Sequence, residues 1–144
     1  MSNTLVVVMT HGHLAEGLLD SAAMICGQVD QARPVAFEPG MSPEDLERIV
    51  EGHLSDAGED RVLFLTDLPG GTPARVAATL AAQGRAEVVT GVNLPMLIEV
   101  LLAAKHRDVL ALTELAVQRG REGVVDAGGQ IRRALAHEDE GTRP

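Results

Sequence analysis

A chain of 144 residues has the length of one domain, and its 45% hydrophobic content is enough for a self-sufficient core. The formal net charge of −9 argues against a nucleic-acid partner, whose phosphate backbone requires clustered Lys and Arg. Only Phe37 and Phe64 are aromatic, so the core must be aliphatic and alanine-rich, and a stacking platform for a flavin or nucleotide ring is lacking.

In chain order, residues 5–9 form a short β-branched apolar run, the pattern of a strand buried on both faces. After Thr10, His11 and Gly12, a helical stripe of Leu14, Leu18, Ala22 and Ile25 runs to about Gly27. The single cysteine, Cys26, falls in this apolar stretch; it cannot form an intrachain disulfide and reads as a buried structural thiol. A second strand fits residues 34–37, with Pro34 at its first position. Ser42-Pro43-Glu44-Asp45 is a helix start, combining a capping hydroxyl, proline at the first helical position and acids in the first turn; that helix runs to about Ser55.

Residues 61–66 carry the third strand, which breaks at Asp67-Leu68-Pro69-Gly70-Gly71-Thr72-Pro73. An alanine-rich helix over 74–82 follows, with Thr72 read as its N-cap. Residues 87–90 give a fourth strand, and helices are expected over about 95–104 and 107–119. Residues 123–126 read as a short last strand. A frayed helix over 131–136 and a polar tail over 137–144 complete the chain, so the expected division is a domain over 1–128 and a tail over 129–144. Strands alternating with helices imply right-handed crossovers and an α/β fold: an open, doubly wound, mostly parallel sheet with helices on both faces, for which an order beginning 2-1-3-4 would make strands one and three neighbours. The N-terminus lacks a basic region and a cleavable apolar segment, and no apolar run approaches the roughly 20 residues of a membrane span, so the expected location is the cytoplasm.

In an open sheet of this order, ligands bind beyond the carboxyl ends of the strands where the order reverses. His11 and Asp67 lie just past strands one and three, so they should face each other across that crevice. The glycines Gly70 and Gly71 permit close backbone approach, and the helix beginning near Thr72 offers free amide hydrogens to an anion. Thr10 and Asn93 are candidates for lining the same site. An imidazole steadied by a carboxylate and facing an anion cradle has the parts that phosphoryl transfer through histidine requires. His11 as a mere helix cap is the bland alternative. A metal on His11 and His13 would need further ligands, which no second Cys or His cluster supplies. His53, His106 and His137 read as solvated, as do Glu16 and the acidic run Glu138-Asp139-Glu140.

Three segments carry a family resemblance. Met9-Thr10-His11-Gly12 followed by Leu14-Ala15-Glu16-Gly17-Leu18 resembles the N-terminal active-site segment of mannose-family IIA domains of the sugar phosphotransferase system (PTS). Thr66-Asp67-Leu68-Pro69-Gly70-Gly71-Thr72-Pro73 resembles that family's second active-site loop, and Gly91-Val92-Asn93-Leu94-Pro95-Met96 is similar to its segment after the fourth strand. The resemblance implies a histidine, here His11, that receives a phosphoryl group from the carrier protein HPr and passes it to a IIB component during sugar uptake. It further implies a homodimer with a C-terminal antiparallel edge strand exchanged between subunits, here near residues 123–126, and neither metal nor organic cofactor. The chain departs from the family pattern at Pro69, often aromatic in the family, and at Ala74-Arg75, where Phe-Asn is common; both flank the phosphate loop and bear on partner choice.

Two other functions fit parts of this reading. A regulatory IIA protein, signalling through the phosphorylation state of the same histidine, would have the same site; no IIB domain follows residue 126, so a transport partner is expected on a separate chain. A flavodoxin-like nucleotide or flavin module is opposed by the missing Gly-x-Gly-x-x-Gly after the first strand.

Overall fold

The fold was analysed in a computed structural model, which describes residues 3–142. Its element order is β1 (Thr4–His11), α1 (Leu14–Cys26), β2 (Ala32–Phe37), α2 (Pro43–Ala57), β3 (Arg61–Thr66), α3 (Thr72–Ala82), β4 (Glu87–Thr90), α4 (Leu94–Ala103), α5 (Val109–Glu122) and α6 (Ala127–Thr142). The strands form one four-stranded sheet of order β2-β1-β3-β4, with every pairing parallel.

β1 is one of the two inner strands, and Leu5, Val6, Val7, Val8 and Met9 are all buried. Successive side chains alternate between the faces. Val6 and Val8 pack with Leu63, Leu65 and Val89 under α1, α4 and α5, whereas Val7 and Met9 pack with Phe64 under α2 and α3. A strand covered on both sides must be apolar at every position, which accounts for the unbroken run in the sequence. β2 is an edge strand, where Pro34 deprives no neighbour of a ladder bond.

The helix start at Ser42 is as expected. Ser42 Oγ accepts from the Asp45 amide at 3.1 Å, and Asp45 Oδ2 accepts from the Ser42 amide at 2.9 Å, closing a reciprocal capping box.

Several local expectations need correction. In α1 the buried face consists of Ala15 and Ala22 with half-buried Leu18, Leu19 and Cys26, while Leu14 and Ile25 are exposed. The periodicity was right, but the face is rotated by one residue, because both ends of the stripe can be drawn through either neighbour. Cys26 is half-buried rather than buried, and its Sγ donates to the Ala22 carbonyl at 3.1 Å.

Residues 123–126 are not a strand in this single chain; they connect α5 to α6, and Val124 and Val125 are exposed. Asp126 Oδ1 accepts from the Gly129 amide at 3.0 Å, so the residue read as a strand end instead starts a helix. That helix runs through most of the expected polar tail, since the sequence after Gly129 is rich in helix formers and its glycines, Gly128, Gly129 and Gly141, lie at its two ends. Residues 130–141 are exposed throughout. Among the described residues no helix is long and apolar enough to cross a membrane.

Candidate active site

The strand register decides which loops meet. β1 pairs with β3 so that Met9 lies opposite Thr66, and with β2 so that His11 lies opposite Phe37. The residues just past the tips of these three strands therefore converge at the point where the strand order reverses.

There Asp67 Oδ2 accepts two hydrogen bonds from His11, from its backbone amide at 3.0 Å and from ring Nδ1 at 2.9 Å. Burial pushes the Asp67 carboxyl up, but the hydrogen bonds from the His11 ring and amide outweigh it and hold the group below the ordinary aspartate value of 3.8. Asp67 is thus a carboxylate at neutral pH and can only accept, so Nδ1 carries a proton and, in the neutral ring, the lone pair lies on Nε2. The carboxylate is the sheltered partner: its side chain is 15% exposed against 45% for His11. The histidine is anchored at Nδ1 and remains partly open to solvent.

The loop after β3 closes against the other side of the ring. Gly70 has φ +76°, a left-handed conformation that glycine adopts without strain, and the Gly71 amide donates to the Leu68 carbonyl at 3.1 Å to close the turn. Gly71 must be small: a β-carbon there would stand 2.9 Å from His11 Cε1 and 3.6 Å from Nε2. Gly71 is also the N-cap of α3, with φ −71° and ψ 166°, which corrects the expectation for Thr72 by one residue. Thr72 and Pro73 occupy the first two helical positions. The first intrahelical bond runs from the Arg75 amide to the Gly71 carbonyl, leaving the amides of Thr72 and Ala74 without an intrahelical acceptor. His11, Asp67, Gly70, Gly71 and Thr72 are therefore brought together.

Thr10 and Asn93 serve other ends. Thr10 is fully buried, and its hydroxyl accepts from the Ala15 amide at 2.8 Å, fixing the start of α1 immediately after the histidine. Asn93 caps α4 by accepting from the Met96 amide at 3.0 Å and donates to the Gly120 carbonyl at 2.9 Å, tying α4 to α5. Thr10 thus places the turn that follows His11, whereas Asn93 joins two helices and has no contact with the His11 ring among the described hydrogen bonds.

Phe37 belongs to the site and was not anticipated. Its ring meets the His11 ring edge-on, with centroids 5.8 Å apart and planes at 82°, and its carbonyl accepts from the Gly12 amide at 2.8 Å. The available signal was one of only two aromatics, placed at the end of a strand adjacent to β1. His13 is exposed on the rim, with Nδ1 3.6 Å from Glu16 and Nε2 3.7 Å from Glu38. Among the described residues no group of three or more His, Cys, Asp or Glu is arranged to hold a metal ion. His53 was expected to be solvated and is instead half-buried; His106 and His137 are exposed.

The chain is similar to several known proteins. The family described as EIIA-man, PTS system fructose IIA component, matches residues 5–117. The chain is 38% identical over 122 residues to the PTS system mannose-specific EIIAB component of Escherichia coli (strain K12), a match taking in 83% of this chain and 38% of that protein; the chain thus spans well under half the length of that relative. It is 38% identical over 112 residues to the PTS system fructose-specific EIIA component of Bacillus subtilis (strain 168), covering 76% of this chain and 75% of that one. Among solved structures, the mannose/sorbose specific IIA subunit of the phosphotransferase system from Enterococcus faecalis superposes with a TM-score of 0.79 at 31% identity, covering 87% of this chain and 94% of that chain. With most of the sheet and both loops inside the matched region, this chain belongs to the IIA component family of the mannose, fructose and sorbose phosphotransferase systems.

Proposed function

We propose that this protein is a phosphocarrier in which His11 takes a phosphoryl group from HPr on Nε2 and hands it to a IIB component on the way to a transported sugar. The reading rests above all on the contact between His11 Nδ1 and Asp67 Oδ2, at 2.9 Å.

Asp67 holds the proton on Nδ1, so the Nε2 lone pair can attack phosphorus in line with the donor's own P–N bond. As the new N–P bond forms and the donor imidazole leaves, the His11 ring gains positive charge, which the same carboxylate favours. The phosphoryl oxygens come to lie at the start of α3, where the amides of Thr72 and Ala74 and the positive end of the helix dipole receive them. Gly71 leaves room for the ring and Gly70 shapes the turn. Transfer to the acceptor runs the same steps in reverse, with Nε2 as the leaving nitrogen. An imidazole that stands 45% exposed on a strand tip suits delivery between protein surfaces rather than capture of a small molecule in a cleft.

Incubation with phosphoenolpyruvate, enzyme I and HPr, followed by assay for acid-labile label, tests the proposal. Label should appear in the native chain and vanish in His11→Ala with the fold intact; label persisting in His11→Ala would reject His11 as the acceptor.

A further inference from the structure

Arg75 stands one turn into α3, directly above Gly71, to whose carbonyl its amide bonds at 3.0 Å. Gly71 in turn lies against the His11 ring, where a β-carbon would stand 2.9 Å from Cε1. Helical side chains lean back over the preceding turn, so the N-terminal end of α3, with Gly71 and the ring beside it, is within the reach of a long side chain at position 75.

Arg75 is exposed, and among the described residues the arginines held in ion pairs are Arg48, Arg85 and Arg119. Arg75 is not one of them, although the chain carries 21 acidic residues against 12 Lys and Arg. A cation in the first turn also opposes the positive end of the helix dipole, so in the unphosphorylated protein it gains nothing from its position. An arriving dianion reverses that balance. Guanidinium, amides and dipole would then all face the same charge.

We infer that Arg75 is a phosphoryl-binding residue, donating a charge-assisted hydrogen bond to an oxygen of the group on His11 Nε2 beside the amides of Thr72 and Ala74. The inference rests on the reading of His11 as the phosphoryl acceptor. It assigns a function to one of the positions where the chain departs from its family's usual residues. The guanidinium favours the dianion over the monoanion and favours the phosphorylated over the free state of this protein.

The test uses the full chain with phospho-HPr as donor, comparing native protein, Arg75→Gln and Arg75→Lys. In Arg75→Gln the equilibrium constant for transfer to this protein should fall about tenfold or more, the effect of losing one hydrogen bond to a charged group. In phosphorus NMR, the titration midpoint of the His11 phosphoryl group should rise in Arg75→Gln and return toward the native value in Arg75→Lys. Coincident unfolding curves would exclude a folding defect at this exposed position. An unchanged equilibrium and midpoint in Arg75→Gln would overturn the assignment. A weakened transfer with an unmoved midpoint would also overturn it, placing Arg75 in partner docking instead. If the native chain takes no label, or His11→Ala still takes it, the acceptor reading itself fails and this inference falls with it.

Discussion

One carboxylate oxygen, Oδ2 of Asp67, holds both the backbone amide and ring Nδ1 of His11, at 3.0 and 2.9 Å. The amide bond fixes where the strand tip lies, and the ring bond fixes which nitrogen faces outward. Two residues separated by 56 positions thus set position and tautomer with a single atom.

Asp67→Ala removes that control. Hydrogen bonds to charged groups contribute about 1.5–3 kcal/mol, so phosphoryl transfer to His11 should slow roughly 10- to 150-fold. The fold should survive, because the residue lies in a loop beyond the core. Rapid-quench measurement of label uptake alongside a urea unfolding curve checks both; native-rate transfer in this variant would remove Asp67 from the mechanism.

Stability in acid should report the same contact. Burial raises the Asp67 carboxyl, but the hydrogen bonds from His11 prevail and set it below 3.8 in the folded protein. The unfolded chain then binds this proton more readily, so the stabilisation is complete above pH 3.8 and is lost as pH falls through the lowered folded value. Asp67→Asn should therefore unfold with a flatter pH dependence below pH 3.8 than the native chain. Parallel pH profiles would contradict this.

Gly71→Ala separates function from folding. The backbone at Gly71, φ −71° and ψ 166°, is one that alanine adopts without strain, so stability should change by less than about 1 kcal/mol. The added methyl would nevertheless stand 2.9 Å from His11 Cε1 and 3.2 Å from the Leu68 carbonyl, forcing the ring aside. Transfer should slow markedly while the melting temperature holds. A variant phosphorylated at the native rate would mean that the ring has room the geometry denies it.

His53 offers a second pH signal at a site remote from His11 in sequence. Burial pushes its imidazole below 6.5; Asp56 raises it and Arg33 lowers it. The unfolded chain protonates first on acidification, so this residue's share of stability is present above pH 6.5 and is lost as pH falls through the folded value. His53→Gln should flatten the profile in that window. A direct NMR titration of the imidazole with a midpoint at or above 6.5 would disprove the shift.

A chain ending at Gly128 tests the proposed boundary between a domain over 1–128 and a tail over 129–144. Residues 130–141 are exposed along their length, so their removal should change unfolding free energy by no more than about 0.5 kcal/mol and leave label uptake intact. Loss of cooperative unfolding would show that α6 is part of the domain.

The sequence was most legible where one local rule acts unopposed. β3 and β4 fall at their expected limits because β-branched and apolar runs end at turn residues on both sides. The capping box at Ser42 needs only three residues of context. Legibility failed where a helix could be read at two rotations, as in α1, and where a capping carboxylate such as Asp126 turned an apolar pair into a connector. It failed at Phe37 because a cross-strand ring contact depends on register, and register is set by pairing between segments far apart in the chain.

Composition and order of residues were sufficient to determine a parallel α/β sheet with helices on both faces, and, once the order 2-1-3-4 is assumed, the pairing of a histidine with a carboxylate at its switch point. Those properties follow from burial patterns and from rules of chain connection that act on any such sequence. Tertiary structure alone decided which ring nitrogen faces outward, that Gly71 has no space for a side chain, and that Thr10 and Asn93 spend their polar groups on helix starts. Each depends on distances of about 3 Å between residues brought together only when the strands align, and no local preference encodes a distance of that kind.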